Sequence, residues 1–222
     1  VKTVYINTIA SAFFAERLAF LQAEFITHVH EMENVFQIFQ PHVEVLKKIC
    51  NKFIVVSQGS IDAIQKRFDM SKTTLTFLKP FIDKKRSTEE PLIKLTDKKV
   101  VFGCGAVESR KGFDVFCNVA ASLKARGRDD VQFYWIGSDT NKDLVASEVI
   151  AEHGVGDIVE FLGVKSYPRD YFAWGDVFML PSREDPYPLV CMEAAECNMP
   201  VICFDEQAGG MHSFVENDAG VV

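Results

Sequence analysis

The segment from Gly103 to Gly112 combines several glycines with two adjacent cations, Arg110 and Lys111. It follows an apolar run typical of a buried strand and precedes a helical pattern. Glycines such as Gly105 let the backbone approach a ligand closely, and the N-terminus of a helix favours an anion. Cations at that position suit a diphosphate. The segment therefore predicts a diphosphate site, with an ordinary solvated basic turn as the alternative.

Two other nucleotide-binding motifs do not fit this segment. A dinucleotide fingerprint needs a third glycine where Glu108 stands, and a P-loop needs Ser or Thr after Lys111, where the chain has Gly112. Smaller turns follow two further strand patterns and are expected to border the same crevice, with ordinary turn chemistry as the alternative. Their candidate binding residues are Gly137, Ser138, Gly163, Val164 and Lys165.

An acidic loop leads into a second apolar helical pattern at 189–197. Glu193 lies inside that pattern, and a buried charge is costly unless something pairs with it. A pair of ligand hydroxyls, as on a ribose, would serve; a neighbouring Lys or Arg is the alternative. Asp185, in the loop, is expected to face the same crevice. The other candidate binding residues of the loop are Glu184, Pro186 and Tyr187.

His28 and His30 form a third candidate segment, at the end of the strand pattern at 25–29. Residues two apart share one face of a strand. His30 is nearer the carboxyl end, so we expect it to hydrogen-bond a polar ligand; a histidine that caps a loop is the alternative. Metal binding is disfavoured because no third ligand stands at a recognisable spacing, and we predict no metal site.

Strand and helix patterns alternate along the chain. Apolar runs separated by helical patterns predict an α/β fold with parallel sheets covered on both faces. Ligands of such sheets bind beyond the carboxyl ends of the strands, where the three candidate segments lie. The predicted strands are 2–6, 25–29, 53–56, 73–78, 99–103, 132–136, 159–162, 177–180 and 201–204. The predicted helices are 10–23, one or two over 35–50 with a break near Pro41, 61–68, 112–126, 142–152, 168–174, 189–197 and 211–216.

A charged stretch with little apolar periodicity interrupts this alternation near residues 79–99. It predicts a linker at 85–97 between a first α/β unit, 1–84, and a second, 98–222. The 222 residues amount to about one and a half average domains. We therefore expect a piece of a longer chain, with the first unit incomplete.

Composition excludes several classes of protein. A net charge of −7 argues against non-specific nucleic-acid binding, which needs a basic surface. A hydrophobic content of 48% is too high for a disordered chain. The six cysteines show no metal-ligand spacing and are typical of small core residues in a reducing compartment.

Several motifs, in the correct order, resemble those of the retaining glycosyltransferases of family 4. The pair Asp185 and Glu193 resembles the E-x7-E segment of that family. The resemblance covers roughly residues 25–222 and is strongest from 98 onward. Its other motifs are the R-K-G-x-D turn at 110–114, the A-D-V-F-V-L-P-S strand at 176–182, the G-x-P-V-I strand at 198–202, His30-Glu31 and the strand at 53–57. The chain departs from the family at Asp185, which is one methylene shorter than the usual Glu, and at Ala106, where an Arg is common.

This resemblance implies a GT-B fold, in which two Rossmann-like domains face each other across a cleft. The first unit would belong to the acceptor side and the second would bind the sugar nucleotide. By family analogy, Lys111 contacts the donor diphosphate with Arg110 as a second cation, and Glu193 contacts the ribose. Asp185 would contact hydroxyls of the sugar, His30 the transferred sugar, and Gly163 to Lys165 the base.

The implied function is transfer of a sugar from a nucleotide-sugar donor, with retention of configuration and without metal. The donor acts as co-substrate and no cofactor is expected. The expected acceptor is a glycan or a lipid-linked sugar, with no nucleic-acid partner, in the cytoplasm or at the inner membrane surface as a peripheral protein. The alternative is a non-catalytic nucleotide-sugar-binding module or an inactive fragment.

Overall fold

The computed structural model describes residues 2–83, 96–140, 143–205 and 210–222. They form two compact units, Val1–Pro80 with Asp185–Tyr187, and Phe81–Glu184 with Pro188–Val222. Most of the predicted linker lies outside the described residues, so its boundaries stay a prediction.

The first unit contains a four-stranded parallel sheet in the order β1-β2-β3-β4. Phe25 and Val29 in the second strand are buried and Glu24 is exposed, as expected of a strand packed against helices. The strands are β1 (Thr3–Asn7), β2 (Glu24–Val29), β3 (Lys52–Val55) and β4 (Thr74–Phe77). The helices are α1 (Ala12–Leu18), α2 (Glu33–Ile38), α3 (Gln40–Ile49) and α4 (Gln58–Gln65).

The helical pattern at 35–50 divides into α2 and α3, and the break falls at Phe39. Pro41 lies in the first turn of α3, where its missing N–H loses no hydrogen bond. The proline therefore begins a helix here, which is why the predicted break appears just before it. The pattern at 10–23 is helical as predicted, but α1 is flanked by the 3-10 turns Ile9–Ser11 and Ala19–Leu21.

The described residues of the second unit form a six-stranded parallel sheet in the order β10-β9-β8-β5-β6-β7. The chain runs outward from β5 to β7 and then crosses back to β8, which pairs with the other side of β5. Its strands are β5 (Lys99–Cys104), β6 (Val131–Ile136), β7 (Val159–Gly163), β8 (Val177–Leu180), β9 (Val201–Cys203) and β10 (Gly220–Val221). The strand order therefore reverses between β5 and β8, and ligands of open α/β sheets bind at such a reversal.

Helices connect the strands of this sheet. They are α5 (Phe113–Ala125), α6 (Ala146–Glu152), α7 (Pro168–Phe172), α8 (Leu189–Glu196) and α9 (His212–Phe214), which continues as a π-helical turn, Val215–Ala219. The prediction for 142–152 was wrong at its start, because the helix begins only at Ala146. The prediction for 211–216 was wrong in type beyond Phe214, where the backbone widens into that π-helical turn.

Aromatic side chains fill the core between α5 and the sheet. Phe113 and Phe116 each meet Trp135 edge to face, with ring centroids 5.1 Å apart, and all three are fully buried. The indole N–H of Trp135 donates to the carbonyl oxygen of Gly105 at 2.9 Å. The core thus fixes the first residues of the loop after β5.

None of the helices in the described part of the chain is long and apolar enough to cross a membrane.

Candidate functional site

The loop after β5 carries Lys111 into the start of α5. Ser109–Lys111 form a 3-10 turn, and Gly112 then adopts a left-handed conformation with φ 74°. A Cβ at Gly112 would overlap the carbonyl oxygen of Pro181, the first residue after β8. This position therefore requires glycine both for its backbone angle and for the close approach of the two loops.

Lys111 lies at the carboxyl end of β5, as predicted. Its side-chain stem packs against Gly105, where an added Cβ would stand 3.4 Å from both Cγ and Cδ of the lysine. Burial, with a smaller contribution from the charge of Glu193, raises the pKa of the neighbouring Cys104 to about 12, and the charge of Lys111 opposes this rise. Lys111 and Glu193, from distant parts of the sequence, thus converge on the end of one strand.

Glu193 lies in α8 and is largely buried, with 23% of its side chain exposed. The guanidinium of Arg169, in α7, donates to it at 3.4 Å and pairs with Glu196 at 3.1 Å. The pairing that the sequence left open as an alternative is therefore present. Its predicted role on a ribose stays a prediction.

Arg110 interacts with protein groups on both sides of its turn. Its guanidinium donates to the carbonyl oxygen of Glu184 at 3.0 Å and to the carboxylate of Glu108 at 2.7 Å. These bonds give Arg110 a part in holding the loops after β5 and β8 together. Its contact with a diphosphate is not tested by this geometry and stays a prediction.

The loop after β8 buries its polar residues. Ser182, Glu184 and Asp185 are 3%, 8% and 6% exposed, respectively. The Ser182 hydroxyl is buried and has no hydrogen-bond partner among the described residues. Sequence reasoning missed Ser182, because a serine after a strand carries no distinguishing pattern. Pro186 and Tyr187 are half-buried, and α8 begins at Leu189, as predicted.

The turns after β5, β6 and β7 run side by side. Gly105 N–H donates to Ile136 at 2.9 Å, Val107 N–H to Ser138 at 2.8 Å, and Gly137 N–H to Gly163 at 3.0 Å, each to the carbonyl oxygen. A Cβ at Gly137 would overlap the carbonyl oxygen of Gly105, so packing between loops requires this glycine.

The turn after β7 presents an apolar side chain and a cation. Val164 is 73% exposed, and the ammonium of Lys165 lies 5.5 Å from the ring centre of Tyr171. An exposed valine beside an aromatic–cation pair suits contact with a planar base. The base-binding role of this turn stays a prediction.

In the first unit, His30 follows β2 directly and shares a face with His28, as predicted; their ring centres are 4.0 Å apart. The Nε2 atom of His30 lies 2.8 Å from the side-chain oxygen of Asn7. Burial lowers the pKa of His28, and the neighbouring charge of His30 lowers it further. His30 is thus exposed at the end of its strand and oriented by a polar neighbour.

The buried Glu31 and the half-buried Thr8 support this segment. Glu31 accepts a hydrogen bond from the His30 N–H at 2.8 Å and another from the Thr8 hydroxyl, and burial raises the pKa of its carboxyl. Thr8 has φ 82°, an unfavourable conformation for a β-branched residue. Such strain concentrates at functional sites. The sequence did not single out Thr8 or Asn7, since the contact depends on the pairing of β1 with β2.

Within the described ranges, no cluster of three or more His, Cys, Asp or Glu side chains is placed to hold a metal ion.

Comparison with known proteins identifies the family to which the second unit is similar. A family described as "Glycosyl transferases group 1" matches residues 98–222. The match spans more than half of the chain, which therefore belongs to this family. The resemblance deduced from the motifs is confirmed at the level of the family.

Curated relatives match part of the chain. Alpha-galactosylglucosyldiacylglycerol synthase of Streptococcus pneumoniae is 27% identical over 147 residues, which cover 59% of this chain and 38% of that protein. D-inositol 3-phosphate glycosyltransferase of an Arthrobacter species is 30% identical over 111 residues, covering 48% and 26%. The matched part is thus about a third of the length of these relatives.

Solved structures share the fold over nearly the whole chain. Anabaena HepE, in complex with UDP and glucose, superposes with a TM-score of 0.81 at 20% identity, covering 100% of this chain and 64% of that one. Sucrose-phosphate synthase from Thermosynechococcus elongatus gives 0.78 at 22% identity, covering 99% and 60%. The predicted fold class, α/β with the two parallel sheets of GT-B proteins, is confirmed.

Proposed function

We propose that this chain carries the donor-binding part of a glycosyltransferase that transfers a hexosyl group from a nucleoside diphosphate sugar, with retention and without metal or cofactor. The position of Lys111 against Gly105 at the end of β5, where the strand order reverses, carries this proposal. The charges of Lys111 and Glu193 both act on Cys104 at this strand end. Membership of the glycosyl transferases group 1 family supports it.

The chemistry follows from the charges at this strand end. Departure of the nucleoside diphosphate develops negative charge, and Lys111 with the N–H groups of the adjoining turn stabilises that charge. The positive side chain supplies what a metal would otherwise provide. Asp185 and Glu193 hold sugar and ribose hydroxyls, so neither carboxylate acts as a nucleophile. The acceptor hydroxyl attacks the anomeric carbon on the face from which the diphosphate leaves. The bond from this carbon to the diphosphate oxygen breaks, the leaving diphosphate takes the hydroxyl proton, and the configuration is retained.

The acceptor in this proposal is a glycan or a lipid-linked sugar. The name of the S. pneumoniae relative denotes synthesis of a diacylglycerol glycolipid, and this favours a lipid-linked acceptor and a peripheral place at the inner membrane surface. UDP is the first nucleotide to test, because HepE was solved with it.

A titration of the protein with UDP and GDP tests the donor site. Glu193→Ala should weaken binding of the preferred nucleotide about tenfold or more, because a hydrogen bond to a charged group is lost. Glu196→Ala is the matched control, since this acid lies one turn later and pairs with the same Arg169. We expect it to bind as the wild type does.

Three outcomes of the titration have different meanings. Binding of neither nucleotide counts against the donor site. Equal losses in the two variants would make Glu193 a structural partner of Arg169 only. Binding in this titration, combined with no transfer in the activity assay described next, would favour the non-catalytic module.

Transfer itself is tested with the full-length protein. Lys111→Ala should lower kcat at least ~100-fold if the lysine stabilises charge in the transition state. Lys99→Ala is the control, because Lys99 lies at the opposite end of β5 and is 70% exposed. The anomeric configuration of the product, followed by NMR, tests retention, and activity in EDTA tests metal independence. A near-wild-type rate for Lys111→Ala contradicts the role of this lysine.

A further inference from the structure

Arg183, in the loop after β8, reaches across to the loop after β5. Its guanidinium holds both carboxylate oxygens of Asp114 at 2.8 and 2.7 Å and donates to the carbonyl oxygen of Ser109 at 2.6 Å. Its backbone N–H donates to the carbonyl oxygen of Arg110 at 2.8 Å. Arg183 thus contacts two successive carbonyl groups of the 3-10 turn that ends in Lys111. It also contacts the carboxylate of Asp114 in the first turn of α5.

The loop after β5 also donates a hydrogen bond to the loop after β8. Arg110 donates to the carbonyl oxygen of Glu184, the residue after Arg183. On its other side, the turn is held by Asp143, whose carboxylate accepts from the Ser109 N–H at 2.6 Å. The turn that ends in Lys111 is therefore fixed at its backbone from both sides.

An ordinary stabilising ion pair does not account for this arrangement. The side chains of Arg183 and Asp114 are 46% and 32% exposed, and exposed pairs contribute little to stability. Arg128 and Asp130 form an equally bidentate pair, at 2.7 and 2.9 Å, within one short connection before β6. In contrast to that pair, Arg183 joins the ends of two neighbouring strands and bonds to main-chain atoms of the turn.

We propose that Arg183 is a positioning residue, which fixes the turn Ser109–Lys111 in the geometry that receives the donor diphosphate. This inference rests on the proposed function. The guanidinium of Arg183 donates its hydrogen bonds to protein groups, so in this proposal Arg183 acts on the diphosphate indirectly, through Lys111 and the backbone of the turn. Without its side chain, the Ser109 carbonyl oxygen loses the guanidinium donor and the Asp114 carboxylate loses its partner, while the backbone bond to Arg110 remains. The binding of a diphosphate must then also order the turn.

The two parts of the nucleotide separate this role from general damage. In the proposed site only the diphosphate meets the turn, so Arg183→Ala should weaken the binding of UDP about tenfold, the range for residues that support a site without touching the ligand. The affinity for uridine should stay unchanged. We would measure UDP by calorimetry and uridine by NMR titration. Arg183→Lys keeps one cationic donor and should recover part of the UDP affinity, and Arg128→Ala should behave as the wild type.

Amide hydrogen exchange provides a measurement that does not depend on a ligand. Arg183→Ala should speed exchange in the peptide that contains residues 109–112 and leave other peptides of the sheet unchanged. Equal losses for UDP and uridine, or an unchanged UDP affinity in a variant whose turn exchanges faster, overturn the positioning role. A wild-type protein that binds no UDP instead refutes the proposed function and, with it, this inference.

Discussion

Gly112 determines how closely the loops after β5 and β8 approach each other. The residue has φ 74°, and a Cβ would overlap the carbonyl oxygen of Pro181. Gly127 offers a matched control, because its φ is 73° and nothing lies within 4 Å of an added Cβ. The two glycines share the same backbone requirement and differ only in their surroundings.

We expect Gly127→Ala to cost about 1–2 kcal/mol, the usual penalty of a left-handed residue with a Cβ. Gly112→Ala should cost a further ~1–3 kcal/mol, because the loops must also move apart. Urea denaturation of both variants measures the difference. Equal losses of stability would show that the close approach adds no constraint.

At this scale, residue type and spacing alone predicted Lys111 and Glu193. Two adjacent cations before a helix, and an acid within an apolar helix, are unusual enough to be read without a structure. Arg169 and Arg183 could not be found in this way. A single arginine in a polar segment resembles any surface residue, and its partner is set by which strands become neighbours.

Helices α2 and α4 are linked through Glu33, which pairs with Lys66 at 3.5 Å and more closely with Arg67. Arg67, just after α4, is 12% exposed, lies 5.1 Å from the ring centre of Phe36, and donates to Glu33 in the first turn of α2 at 2.5 and 2.9 Å. Its hydrogen bonds to Glu33 lower the pKa of that carboxyl from 4.5 to about 2.

The pair therefore makes stability depend on pH. Because the pKa of Glu33 is lower in the folded protein, the charged carboxylate stabilises the fold. This stabilisation is complete above pH 4.5 and is lost as the pH falls through about 2. Glu33→Gln should cost about 1 kcal/mol at pH 7, since a third of the side chain is exposed to screening solvent. The difference from the wild type should shrink between about pH 5 and pH 2, as urea denaturation across this range would show. Glu44→Gln, at an exposed pair with Lys47, is the control and should change less. A constant difference down to pH 2 contradicts this account.

Among elements, the periodicity of apolar residues predicted the strands and most helices in the described ranges. The start of α6 was missed because it depends on a contact across the preceding loop. The carboxylate of Asp139 accepts from the Ala146 N–H at 3.1 Å and so supplies an acceptor for the first turn of the helix from seven residues upstream. Capping from that distance leaves no local pattern in the sequence.

At the scale of the whole molecule, the sequence predicted two parallel α/β units but not the order of their strands. That order places β8 beside β5, although β6 and β7 come between them in the chain. The loops after β5 and β8 are neighbours because these two strands pair. Apolar strands of similar composition contain no information about which of them pair, and the order emerges only when the whole sheet packs.

The bonds between the two loops also bear on how such a site diversifies. Arg110 and Arg183 bind carbonyl oxygens of Glu184, Ser109 and Arg110, groups that every residue type possesses. Substitutions at Ser109 or Glu184 leave those acceptors in place, whereas Asp114 contributes its own side chain. An engineer who exchanges either loop on this scaffold would therefore need to keep two arginines, one aspartate and Gly112 to preserve the contact between the loops, in addition to the proposed site residues such as Lys111.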